Sequence, residues 1–283
     1  TTATGCNRTI VTTISPQTKL MAFSMMGGFW APELKYAGYD KVILRGKSPD
    51  LVYLWINNDT VEIRDASHLQ GKGAIETAEL IKKELKQPKA QVSAIGLAGE
   101  NRVFYATVEQ GRSSASRGGI GAVMGDKGVK AIAVRGTQDI NVARPAEFME
   151  LCYEVLDYIK WREDNPIPGV IPILAILGSP QEMAIHDEKW HTENFSWGNA
   201  RTRRKDFWTE EVEKEWYNTL ESARTRLISC YNCHFESQVH AHVKRAKQPL
   251  HGRFHQEGGG ELRHGYPDCF SASVIIHLNF RGW

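Results

Sequence analysis

The chain has 283 residues, with 35 Lys and Arg against 33 Asp and Glu; its net charge of +2 gives no electrostatic case for nucleic acid or an acidic membrane surface. Hydrophobic residues at 41% and charged residues at 24% are a globular composition and exclude a disordered chain. No apolar run approaches the ~18 residues of a membrane span, and the first apolar stretch, broken by Arg8, Thr12, Thr13 and Ser15, does not read as a signal peptide. The chain opens on Thr1 rather than Met and reads as a fragment whose true N-terminus is missing. Five cysteines are too few and too unevenly placed for a disulfide scaffold. The pair Cys230-x-x-Cys233 points to a reducing compartment, and a cytoplasmic location is the expectation.

Residues 1–142 read as mixed β and α. Ile10–Ile14, Lys41–Arg45 and Leu51–Ile56 have strand character, the latter two through β-branched and aromatic residues. Asn57-Asn58-Asp59 turns the chain into Thr60–Arg64, which predicts a hairpin. Ile75–Leu85 has helical spacing, with Ile75, Ala78, Ile81 and Leu85 on one face. Val92–Ile95, Val103–Val108 and Val129–Val134 are further strands.

Residues 143–233 read as the start of a helical region. Pro145 marks a helix start, and Phe148, Leu151, Val155, Leu156 and Ile159 form a stripe. Pro166 and Pro168 break it, and a second helix is expected over Thr209–Leu227. Residues 234–283 change character: seven of the ten histidines fall there, beside the run Gly258-Gly259-Gly260.

An internal repeat carries most of the information. Gly27–Gly46 (GGFWAPELKYAGYDKVILRG) and Gly118–Gly136 (GGIGAVMGDKGVKAIAVRG) share a Gly-Gly pair and a short apolar segment. Each continues with a glycine (Gly38, Gly128), a Lys-led strand and a closing Arg-Gly. A Gly-Gly pair lets backbone N–H groups approach a ligand, and a helix start there favours an anion. Arg8 and Arg117 are candidate phosphate partners beside the two turns. Such a duplication makes a saddle with two anion sites, suited to a large ligand with two phosphates. The competing reading is that these glycines are helix caps and packing contacts.

Five segments then identify a resemblance: Ser15-Pro16, GGFWAPELKYAGYD (27–40), VEIRDASHL (61–69), AIGLAGENRV (94–103) and SRGGIGAVMGDKGVKAIAV (116–134). They resemble the N-terminal domain of the aldehyde ferredoxin oxidoreductase family, tungsten enzymes that bind two pterins. The resemblance covers about residues 1–233. Within the family, SPQEMAIHDEKWHTENFSWGNARTRRKDFW (179–208) followed by ISCYNC (228–233) is most similar to the tungsten subunits of class II benzoyl-CoA reductases. The resemblance implies an α+β fold, with a duplicated β-rich saddle over 1–142 followed by a helical region. It implies a tungsten bis-pyranopterin lying on the saddle, its phosphates joined by Mg2+. By position, Arg8 and the backbones of Met25 and Gly27 would serve one pterin, and Arg117, Gly118 and Gly119 the other. The family often carries Asn where this chain has Met25, so only a backbone contact is expected there.

Two further candidates remain. Glu182 and His186 are four apart and share a face of any helix, and His191 needs a turn to join them. Such histidines in a polar stretch are more often solvated side chains than catalytic ones, although histidine can deliver a proton near neutral pH. The resemblance places the three over the substrate ring, with His191 as proton donor. Cys230 and Cys233 alone fit a zinc half-site, a redox dithiol or two buried thiols. The resemblance makes them ligands of a [4Fe–4S] cluster in a Cys-x2-Cys-x3-Cys pattern, which Ser237 interrupts. That break leaves three accounts of residues 234–283: a shifted reading frame, which the histidine excess favours; a second metal site through His240, His242, His251 and His255; or a divergent tail.

The function expected of the parent protein is therefore reduction of the ring of benzoyl-CoA or a related aromatic acyl-CoA, with ferredoxin or a small iron–sulfur subunit as electron partner. The alternative on the same scaffold is oxidation of aldehydes to acids. A third reading is a non-catalytic, truncated pterin- or phosphate-binding domain.

Overall fold

The computed structural model describes Ala3 and residues 6–111, 113–164, 224–232, 238–242 and 261–263. The chain divides into two compact units: Thr1–Phe148 with Cys230–Cys233, and Met149–Ser229 with His234–Trp283.

The first unit begins with an antiparallel hairpin of β1 (Thr9–Ile14) and β2 (Met21–Met26). Then follow α1 (Trp30–Tyr36), β3 (Val52–Asn57), β4 (Thr60–Asp65), α2 (Ala74–Glu84), β5 (Gln91–Ala94) and α3 (Leu97–Glu100). β6 (Val108–Gln110), β7 (Ser113–Ala115), α4 (Ile120–Asp126) and β8 (Val129–Arg135) complete it. Six strands form one mixed sheet in the order β4-β3-β8-β5-β6-β7. Only β3 and β8 run parallel. This is an α+β architecture.

Period-two alternation splits the core across the sheet. Tyr53, Trp55, Ala131 and Ala133 pack with Ile81 and Leu69, and α2 covers that cluster. A second cluster gathers Met26, Ile95, Ile120, Met124 and Val129, and a third gathers Trp30, Leu34, Ile56 and Val134. Trp30 Nε1 donates to the Ile132 carbonyl at 3.0 Å, fixing α1 on β8. Asn58, at φ 49°, makes the left-handed turn between β3 and β4 that the Asn-Asn-Asp run predicts.

Several expectations are corrected. Lys41–Arg45 is not a strand. Its alternation is real, since Val42 and Leu44 pack on the core while Ile43 is exposed. However, β3 is already flanked by β4 and β8, so the segment crosses the core without joining a ladder. The two repeat copies therefore share a Gly-Gly turn, a seven-residue helix and a positive-φ glycine (Gly38, Gly128), and only the second continues into a strand. Residues 103–107 hold a turn rather than strand, with Phe104 and Tyr105 exposed and β6 starting at Val108. Ile75 is exposed in the first turn of α2, and Thr77 takes the inner position beside Ile81.

Helix α5 (Pro145–Asp164), most of which belongs to the second unit, starts at the proline as expected, but Leu151 and Val155 of the stripe are exposed. Residues 224–227, expected as the end of a helix, belong to strand β9 (Arg224–Ile228); residues 209–223 lie outside the described residues. β9 pairs with β10 (Gln238–His242), which pairs with β11 (Glu261–Arg263), all antiparallel. Arg and Thr at 224–226 give β-strand alternation more readily than the apolar stripe of a helix.

Candidate pterin face and the Cys230 segment

Strand β2 brings the two Gly-Gly turns together. Its end leads directly into Gly27-Gly28, and its middle receives the second turn. The Arg117 N–H donates to Ser24 Oγ at 3.2 Å, and a Cβ on Gly118 would lie 2.8 Å from the Ala22 Cβ. Ser24 and Gly27 are three residues apart, about 10 Å of strand rise, so segments ninety positions apart in sequence meet along one edge. Ser15-Pro16 builds the turn between β1 and β2: Ser15 Oγ accepts from the Gln17 and Thr18 N–H groups, each at 3.3 Å. Pro16 thereby reaches Gly119, whose Cβ position it would share with the Phe104 carbonyl.

The packing accounts for the glycines themselves. Gly28, Gly118 and Gly119 have φ of 91°, 73° and 68°, where L side chains are strained. A Cβ on Gly28 would overlap Gln110 Oε1, which accepts the Phe29 N–H at 3.2 Å. A Cβ on Gly27 would lie 2.6 Å from Cys230 Sγ, 3.5 Å from Ser113 Oγ and 3.7 Å from Arg8 Nη1. The structure thus brings Arg8, Gly27 and Cys230 together at the first turn, and Arg117, Gly118 and Gly119 at the second. Arg8 and Arg117 are both exposed. The Met25 side chain stands at 49% exposure on the outer face of the hairpin, opposite Ile10.

Cys230 reaches this site because Tyr231 is held in place. Asn7 Nδ2 donates to the Tyr231 carbonyl at 2.7 Å, and the Tyr231 N–H donates to the Gly28 carbonyl at 3.3 Å. The hydroxyls of Tyr36 and Tyr231 are 2.5 Å apart. The Tyr231 ring stands edge-on to Phe29 and Tyr36, with centroids 6.1 and 6.3 Å away. The hydrogen bond with Tyr231, helped by burial, pushes the Tyr36 phenol up to about 12, so it is protonated at neutral pH. Asn7 and Gln110 are site residues that no sequence motif singles out. Tyr36 and Tyr231 stand inside the segments GGFWAPELKYAGYD and ISCYNC, but nothing in either segment pairs them. Glu182, His186, His191 and Cys233 lie outside the described residues.

The donor chemistry at the turns fits a ligand with two phosphates: the exposed Arg8 guanidinium stands beside the first turn, the exposed Arg117 immediately precedes the second, and Arg forks match phosphate oxygens. For an iron–sulfur centre, the first turn has the half-buried Cys230 thiol beside it. It fits as one ligand. Among the described residues no group of three or more His, Cys, Asp or Glu could hold a metal ion, and no helix is long and apolar enough to cross a membrane.

Residues 1–136 match the family described as aldehyde ferredoxin oxidoreductase, N-terminal domain, so this part of the chain carries that family's N-terminal domain. The tungsten-containing aldehyde ferredoxin oxidoreductases of Pyrococcus horikoshii and Pyrococcus abyssi are both 44% identical to it. They match over 58% and 57% of this chain and 27% and 26% of their own length. The aliphatic sulfonate oxidoreductase, WOR-like subunit, of Pyrococcus furiosus is 39% identical over 51% of this chain and 25% of its own. A solved chain of the active-site complex BamBC of benzoyl-coenzyme A reductase, in complex with 1,5-dienoyl-CoA, is 68% identical. It superposes with a TM-score of 0.79, covering 99% of this chain and 40% of that one. The chain thus spans about a quarter of the length of these curated relatives and less than half of the solved chain.

Proposed function

We propose that the protein carrying this chain is a tungsten–pterin oxidoreductase that reduces the aromatic ring of benzoyl-CoA or a related thioester. One observation carries the reading: the 68% likeness to the benzoyl-coenzyme A reductase chain extends over 99% of these residues, whereas the 44% likeness to the Pyrococcus horikoshii aldehyde enzyme extends over 58%. When bound, the tungsten bis-pterin supplies the electron chemistry. Arg8, with the backbones of Met25 and Gly27, would hold one pterin; Arg117, Gly118 and Gly119 would hold the other, and Mg2+ would supply positive charge to the phosphates. Cys230 and Cys233 are ligands of a [4Fe–4S] cluster. Glu182 and His186 line the substrate ring, and His191 gives it a proton. Ferredoxin or a small iron–sulfur subunit is the electron partner, in an anaerobic cell interior.

Oxidation of aldehydes on the same scaffold is the second reading, supported by the Pyrococcus aldehyde enzymes. The test uses the full-length, tungsten-loaded protein with a low-potential donor and benzoyl-CoA, and in parallel simple aldehydes with an electron acceptor. Formation of a dienoyl-CoA product without aldehyde turnover is expected. Aldehyde oxidation with no ring reduction overturns the proposal in favour of the second reading.

A further inference from the structure

Tyr231 has more connections to the first unit than a residue between two candidate ligands needs. Its carbonyl accepts from Asn7 Nδ2 at 2.7 Å, and its N–H donates to the Gly28 carbonyl at 3.3 Å. Its hydroxyl meets the Tyr36 hydroxyl at 2.5 Å, and its ring packs edge-on against Phe29 and Tyr36. Asn7 is 4% exposed, so its amide is committed to this contact. The next residue, Asn232, turns at φ 47°, a conformation uncommon for a non-glycine residue. Three parts of the first unit therefore converge on one residue: the segment leading into β1, the Gly27-Gly28 turn, and α1. The residue immediately before it is Cys230, with its sulfur against Gly27.

We infer that Tyr231 is a positioning residue: latched to Tyr36, Asn7 and Gly28, it holds the Cys230 thiol at the first Gly-Gly turn, so that the metal centre on Cys230 and the adjoining turn form one rigid assembly. The inference rests on the proposed role of Cys230 as a cluster ligand. The physical ground is that partners behind a metal ligand fix its orientation, and their loss typically costs ten- to a hundredfold in metal affinity or activity. The Tyr36–Tyr231 contact is the part that can be removed without disturbing the fold. Phe at either position keeps the ring packing and deletes only the hydroxyl pair.

The experiment uses the full-length holoenzyme and three variants: Tyr231→Phe, Tyr36→Phe and the double variant. The readouts are the rate at which iron is lost to a chelator and the electron paramagnetic resonance signal of the reduced cluster. Each single variant is expected to lose iron on the order of tenfold faster, with an altered cluster signal. The double variant is expected to be no worse than the singles, because both remove the same contact. Wild-type iron loss and an unchanged signal in both single variants overturn the inference. Additive effects in the double variant also overturn it, since they assign the two hydroxyls separate roles. Cys230→Ala separates the two levels. Iron loss in that variant, with wild-type behaviour in the tyrosine variants, refutes the latch alone. Full iron retention in Cys230→Ala refutes the ligand role and the latch with it.

Discussion

Gly119 and Gly46 both have positive φ, 68° and 73°, yet their surroundings differ. Nothing lies within 4 Å of a Cβ built on Gly46, while one on Gly119 meets the Phe104 carbonyl and the Pro16 ring. Gly46→Ala should cost about 1–2 kcal/mol of backbone strain, and Gly119→Ala roughly 2–5 kcal/mol, because rigid backbone must also move. Thermal unfolding of the two variants checks the difference; equal losses would remove the packing argument. Tyr53 gives a pH signature. It is fully buried and donates to Glu84 Oε1 at 2.7 Å. Burial, then that hydrogen bond, pushes its phenol up to about 12 against an ordinary 10.0. The folded chain keeps a proton that the unfolded chain releases above pH 10, so this contribution to stability is complete below pH 10 and lost as pH rises through about 12. Denaturant titrations across that range should show a shallower alkaline loss in Tyr53→Phe. Some loss persists, because Tyr36 also titrates at about 12.

At the scale of elements, β8 carries a bulge. Val52 pairs with Val129 but Tyr53 pairs with Ala131, so Lys130 is the extra residue. Its side chain is fully buried, paired with Glu100 and donating to the Lys72 carbonyl at 2.8 Å. Glu100 also accepts the Gly71 N–H at 2.9 Å, so the pair ties β8, α3 and the loop before α2 together. Burial holds the Lys130 ammonium below its usual range, opposed by Glu100. Lys130→Met leaves a largely buried carboxylate without its cation and should cost about 3–5 kcal/mol. Adding Glu100→Gln, which keeps an acceptor for Gly71, should recover part of that in chemical denaturation; no recovery would mean that the bulge rather than the charge sets the cost.

The same scale shows what the sequence makes legible. β3, β4, β5 and β8 are readable because their β-branched and aromatic residues alternate between Asn, Gly or Pro punctuation. β2 is hard to see because MAFSMM lacks β-branched residues, and its exposed face is as apolar as its buried one. Lys41–Arg45 misleads for the opposite reason: its alternation reports burial, which a crossing segment satisfies without strand pairing. The Gly-Gly turns are visible as a repeat, but their meeting along β2 depends on a hairpin that periodicity does not show. Tyr36 and Asn7 become site residues only through contacts spanning 195 and 224 positions. No local pattern encodes those.

For the whole molecule, the chain supplies the family's N-terminal domain and the Cys230 segment docked onto it, within about a quarter of the length of its curated aldehyde-oxidising relatives. The paired turns and their arginines are one part of the proposed enzyme, and the segment with Glu182, His186 and His191 is another. His191→Ala in the full-length enzyme should abolish ring reduction while tungsten content stays at the wild-type level; retained turnover would remove His191 as the proton donor. The central claim is that the two turns along β2 carry a tungsten bis-pterin, and metal and pterin analysis of the purified full-length protein tests it most directly. Tungsten together with a pair of pterins per chain is expected, with both reduced in Arg8→Ala and in Arg117→Ala. A correctly folded protein produced with tungstate that contains neither tungsten nor pterin would contradict it.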